Sequence, residues 1–206
     1  MSFLQPFQNL NVGAPPSSLG GAAPASGTLT GFSIQAQQHT EWCWAAVTTS
    51  VAVFFGSVNW TQCKVAAGEL NLNCCGSDGP NGCNKPWYLD RPLARVGHLD
   101  RLLPQVIPMA TVQQEILADR PIGCRIAWAQ GSAHFVAIGG WSTDPDGTDY
   151  VDAYDPAHGL LVQKTYADFV SSYSMPGDSW THTYFTLRSA GAAGGALPGV
   201  ISPKSE

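Results

Sequence analysis

The sequence predicts an α+β domain with helices first and an antiparallel sheet second. Three observations predict it. Two helical patterns lie before residue 120, five strand-like segments follow it, and turn signals such as Asp144-Pro145-Asp146-Gly147 separate the strands.

In chain order, residues 11–30 are almost entirely Gly, Ala, Pro, Ser, Thr, Leu and Val without periodicity, so residues 1–30 are expected to form a flexible arm. The domain is expected over 31–188. Its first helix should run over 41–55, with Thr40 as N-cap, Gly56 as the left-handed stop, and Cys43, Val47, Val51 and Phe54 on one face. Residues 59–92 are dense in Asn, Gly and Pro and hold four of the six cysteines, so regular structure there should be short. A second helix is expected over 111–119, capped by Thr111, with Val112, Ile116 and Leu117 on its apolar side. Strands are expected over 123–129, 134–141, 149–154, 160–165 and 182–187. Residues 189–206 repeat the Gly- and Ala-rich character of the arm and read as a tail.

Composition excludes several functions. With 206 residues, 44% of them hydrophobic, the chain carries enough apolar material for one sizeable core. Its net charge of -5 and only 10 Lys and Arg argue against binding nucleic acid. The longest apolar run, residues 43–55, is interrupted by Thr48, Thr49 and Ser50 and falls short of the roughly 20 residues that span a bilayer, so no membrane span is expected. Residues 1–13 contain no Lys or Arg and no continuous apolar block, unlike an ordinary secretory leader.

The chemistry concentrates in Gln37-Gln38-His39-Thr40-Glu41-Trp42-Cys43-Trp44-Ala45-Ala46, which sets a cysteine in the first turn of a helix. Unpaired N–H groups and the macrodipole favour an anion there, and thiols at such positions with a cation nearby ionise at about pH 3.5 to 7.5 rather than about 8.5. Gln37, six residues upstream, is placed to donate an amide N–H to a tetrahedral oxyanion beside the backbone N–H of Cys43; Gln38 is the alternative. The required base is offered by His134, at the mouth of the apolar strand Phe135-Val136-Ala137-Ile138. Asp155, at the end of the next strand, is the candidate to orient the imidazole, with Asp152 as the alternative.

These residues together resemble papain-like cysteine peptidases, specifically the bacterial branch that includes double-glycine leader peptidases and plant-pathogen effector proteases. The resemblance spans about residues 32–187. It rests on Gln37, Cys43-Trp44-Ala45-Ala46, His134 with its strand, and Asp155-Pro156, in the family's order. It implies a helical lobe carrying the nucleophile, a β lobe, a cleft between them, and hydrolysis of peptide bonds through an acyl-thioester, with no metal and no cofactor. A protein or peptide substrate follows, with an immunity protein or inhibitor as a further partner; no oligomeric state is specified.

The same triad chemistry serves a transglutaminase, deamidase or acyltransferase, and the same fold serves an inert binding module with Cys43 in its core. Cys63, Cys74, Cys75 and Cys83 admit structural zinc or two disulfides. The branch's Cys-Cys then Cys-Asn segment resembles Cys74-Cys75 and Cys83-Asn84, and the irregular spacing lacks a repeated zinc pair, so disulfides are favoured, with three connectivities open. Disulfides imply maturation outside a reducing cytosol, which together with the lack of an ordinary leader in residues 1–13 suggests secretion by a non-classical or specialised route, with a cytoplasmic location as the alternative. Cys124 reads as core. Leu19-Gly20-Gly21 and Gly194-Gly195 resemble double-glycine cleavage sites.

Overall fold

The computed structural model describes residues 25–76 and 82–189. Three helices precede the main strands: α1 (Cys43–Phe54), α2 (Gln62–Leu70) and α3 (Asp90–Arg95). The strands are β1 (Ser26–Thr28), β2 (Leu99–Leu103), β3 (Ile122–Ala127), β4 (Ala133–Thr143), β5 (Asp149–Asp155), β6 (Leu160–Thr165) and β7 (Ser179–Thr186), with α4 (Met109–Leu117) before β3 and α5 (Tyr166–Ser171) after β6. They form one seven-stranded sheet in the order β2-β7-β3-β4-β5-β6, with β1 paired to the far part of β4, and every pairing is antiparallel. Helices first and sheet second is the order the sequence predicts.

The helix α1 is apolar on all sides and is accordingly the buried centre of the helical half. Trp44, Ala45, Ala46, Val47, Val51 and Ala52 are each 0% exposed. Two of its buried hydroxyls are satisfied along the helix, Thr48 Oγ1 donating to the Trp44 carbonyl and Ser50 Oγ to that of Ala46, while the buried Thr49 Oγ1 has no partner among the described residues. Gly56 ends it at φ +94°, and the Ser57 N–H reaches back to the Ala52 carbonyl at 2.8 Å, a left-handed terminus of the expected kind.

Several expectations are corrected. Thr40 is not the N-cap: α1 starts at Cys43 after Trp42, no side chain caps it, and Thr40 Oγ1 instead accepts from Asn84 Nδ2 at 2.9 Å. Thr111 is likewise not a cap, since α4 starts at Met109 behind Pro108, and Leu117 is 60% exposed while Val112 and Ile116 face the core. The folded region reaches below residue 31: β1 pairs Gly27 with Trp141, and Leu29 is buried. The strand β2 and the helix α5 carry no expectation from sequence; α2 lies in the stretch expected to hold only short elements. Both double-glycine segments lie outside the described residues.

The four cysteines of the second region form disulfides, Cys63–Cys75 and Cys74–Cys83, which leaves no thiolate among them for zinc. Cys43 and Cys124 are free. Cys124 is fully buried on β3, and burial holds its thiol well above the usual range.

One irregularity of the sheet positions the site. The β4–β5 register shifts between Ile138 and Gly140, and Gly139 sits there because a Cβ would fall 2.6 Å from the Tyr154 ring and 2.8 Å from Phe32. Below this bulge, Ala137 pairs with Tyr154, which sets the end of β5 beside the start of β4.

Candidate active site

Cys43 is the first residue of α1. The first bond into the helix runs from the Ala46 N–H to the Trp42 carbonyl at 2.9 Å, so the earlier N–H groups, that of Cys43 included, have no intrahelical acceptor. With no capping side chain, the positive end of the dipole is presented to Sγ. The turn entering the helix is held from outside. Trp42 Nε1 donates to the Cys83 carbonyl at 2.8 Å, Trp44 Nε1 to that of Lys85 at 3.1 Å, and Asn84 Oδ1 accepts from the Glu41 N–H at 2.9 Å.

His134 is the second residue of β4, opposite Ile126. Its Nε2 donates to Asp155 Oδ1 at 2.7 Å, and the imidazole also interacts with the Cys43 thiol. Burial alone would lower its pKa, but the hydrogen bonds to Asp155 and Cys43 and the negative charge of both outweigh it and raise it to about 10. Trp128, in the turn between β3 and β4, stacks on the imidazole at 5.7 Å and 15°.

Asp155 ends β5 and accepts three hydrogen bonds: His134 Nε2 and the Ala157 N–H on Oδ1, and the Tyr173 hydroxyl on Oδ2 at 2.8 Å. Burial pushes its carboxyl upward, but the bond to His134, the imidazolium charge and the other two donors prevail and leave it below the ordinary value. Asp152 is not at this site. It pairs with Gly140 beyond the bulge and accepts from Gln163 Nε2 at 3.1 Å.

Gln37 lies in the same neighbourhood, its N–H bonded to the Pro156 carbonyl at 2.7 Å, directly beside Asp155. Its Nε2 donates to the carbonyls of His39 at 3.1 Å and Thr40 at 2.6 Å. Gln38 is held differently, its N–H donating to Gln62 Oε1 at 2.9 Å. The structure thus gathers Cys43, His134 and Asp155 at one place, the imidazole bonded to Asp155 and interacting with the Cys43 thiol, and fixes Gln37 along the loop leading to α1. Beside the imidazole, Trp128, Gln130, Ser132, Met175 and Asp178 line a cavity of about 630 Å³.

Such an arrangement can hold a sulfur anion, a mobile proton and a fixed carboxylate in a line, which is the equipment of thiol acyl transfer. Fold and site together define a papain-like cysteine peptidase. Residues 28–174 match the family model of the papain-like cysteine protease AvrRpt2, and the chain belongs to that family. No curated protein matches it. Among solved structures, bromelain from Ananas comosus in complex with the inhibitor E64 is similar at 14% identity, over 80% of this chain and 100% of that one, with a TM-score of 0.46.

The parts that three residues play at the site carry no expectation from sequence. Trp128 stands just before a Gly-containing turn ahead of the histidine strand, a local signal that was there to be read. Asn84 follows Cys83, and its importance follows from the disulfide that fixes that segment. Tyr173 sits past a short helix in a segment without periodicity, and nothing local marks it.

Proposed function

We propose that this peptidase works through Cys43 as nucleophile, His134 as general acid and base, and Asp155 as the group that orients the imidazole. The observation that carries the reading is the His134 imidazole bonded through Nε2 to Asp155 Oδ1 while it interacts with the Cys43 thiol at the start of α1. The Cys43 thiolate attacks a peptide carbonyl carbon, forming the S–C bond and moving the carbonyl electrons onto oxygen. The Cys43 N–H and Gln37 stabilise that oxygen, Gln37 by exchanging one of its two carbonyl partners for it. His134 gives its proton to the leaving nitrogen as the C–N bond breaks. Water then attacks the thioester, the imidazole takes its proton, and release of the acid restores the thiolate–imidazolium pair.

The substrate is a protein or peptide. The two disulfides support maturation outside a reducing cytosol, consistent with a protein secreted by a specialised route. Among the described residues no helix is long and apolar enough to cross a membrane. The test is hydrolysis of an unstructured protein or a peptide library by wild type and by Cys43→Ala, with an amine donor present and ammonia followed in parallel. Turnover abolished in the variant, with new peptide termini in the wild type, supports hydrolysis. Full turnover by Cys43→Ala overturns the assignment, and amine incorporation without cleavage redirects it to acyl transfer.

A further inference from the structure

The strongest unexplained feature near the site is a tyrosine. Tyr173 is 3% exposed, lies just past α5, and donates its hydroxyl to Asp155 Oδ2 at 2.8 Å. Its ring stands edge-on to Phe169 at 5.6 Å and tilted against Trp128 at 6.1 Å, while Lys164 Nζ lies 5.1 Å from its centroid. Its backbone N–H bonds the Asp178 carbonyl at 3.2 Å. Every part of the residue is held before the hydroxyl makes its bond.

The division of labour between the two oxygens of Asp155 gives this contact its meaning. Oδ1 accepts from His134 and from the Ala157 N–H, and Oδ2 accepts from Tyr173. The terminal torsion of an Asp side chain is soft, with broad rather than staggered preferences. Bonds to Oδ1 alone leave the carboxylate free to swing about that oxygen; a rigid donor on Oδ2 fixes the plane. We propose that Tyr173 is a positioning residue for the reaction, setting the rotation of Asp155 and through it the direction of the His134 ring. The proposal rests on the triad reading above and deepens it. The same aromatic group reaches the imidazole by a second path, because Trp128 packs on Tyr173 and stacks on His134.

A core tyrosine with a satisfied hydroxyl and no role in the reaction would show the same packing, so the test separates the two. Tyr173→Phe keeps the ring and removes only the hydroxyl. Since Asp155 orients a catalytic group and binds no substrate, kcat should fall by about tenfold or more with KM unchanged, as expected for misaligned reacting groups. In the Asp155→Ala background the same change should have no further effect on kcat, because the group it acts through is gone. An unchanged kcat in Tyr173→Phe, or an equal loss in both backgrounds, overturns the proposal. Should Tyr173→Phe not fold, 2,3-difluorotyrosine at 173, a stronger donor of the same shape, should change kcat at constant KM; no change overturns it. Absence of Cys43-dependent cleavage in the wild type is a separate result, and it removes the triad reading rather than the proposal alone.

Discussion

Substituting Asp155→Asn removes a charge from the site while keeping its shape. In the variant, Oδ1 still accepts from His134 Nε2 and from Ala157, and the amide nitrogen replaces Oδ2 opposite Tyr173, whose hydroxyl can rotate to accept. What changes is the strength of support for the imidazolium. A hydrogen bond to a charged group contributes about 1.5–3 kcal/mol and a neutral one about 1 kcal/mol. The difference, about 0.5–2 kcal/mol, corresponds to roughly one pH unit at about 1.4 kcal/mol each. The pKa of His134, about 10 in the intact site, should therefore fall by about one unit. The alkaline limb of the kcat/KM profile reports it, because activity requires the proton that His134 delivers. Asp155→Asn should keep substantial activity with that limb moved to lower pH, whereas Asp155→Ala should lose most of it. An alkaline limb that stays in place in Asp155→Asn would refute the claim that the carboxylate charge holds the imidazolium.

Gln37→Ala should reduce kcat by about 100- to 1,000-fold with little change in KM, the usual cost of one oxyanion donor, and an unaltered kcat removes Gln37 from that role. Breaking the Cys74–Cys83 bridge by a paired Cys→Ser change opens a loop whose ends lie 9 residues apart and should cost about 2.5–3 kcal/mol of stability, read by urea unfolding. Because Cys83, Asn84 and Lys85 hold the turn before Cys43, kcat should also drop under conditions where the variant remains folded, and unchanged kcat there would show the clamp to be irrelevant to the nucleophile.

Much of the site is legible in the sequence because its chemistry is local. A cysteine at the start of an apolar helix, a histidine opening an apolar strand and an Asp-Pro at the end of the next strand each carry a short-range signal. The structure unites residues as far apart as Cys43 and His134, 91 positions along the chain, and joins His134 to Asp155 through the β4–β5 pairing that the strand patterns already suggest. The illegible parts depend on contacts between distant segments. Ser26-Gly27-Thr28 has no apolar alternation, and Gly27 reads as arm composition; in the fold it is the residue that lets β1 approach Trp141, where a Cβ would meet Nε1 at 2.6 Å. Thr40 satisfies every local rule for an N-cap, yet a donor 44 residues away takes its hydroxyl. The strand β2 carries Asp100 and Arg101 and a bulge in its pairing with β7, which hides its alternation. The choice between Asp155 and Asp152 turns on the Gly139 bulge, which a two-residue period cannot reveal.

The protonation state of His134 in the resting protein bears most directly on the whole account. Long-range nitrogen NMR of the uniformly labelled wild type at pH 8 distinguishes imidazolium, with both ring nitrogens protonated, from a neutral tautomer. The account predicts the imidazolium at that pH, since the ring titrates near 10 between the thiol and Asp155. A neutral ring at pH 8 would contradict it.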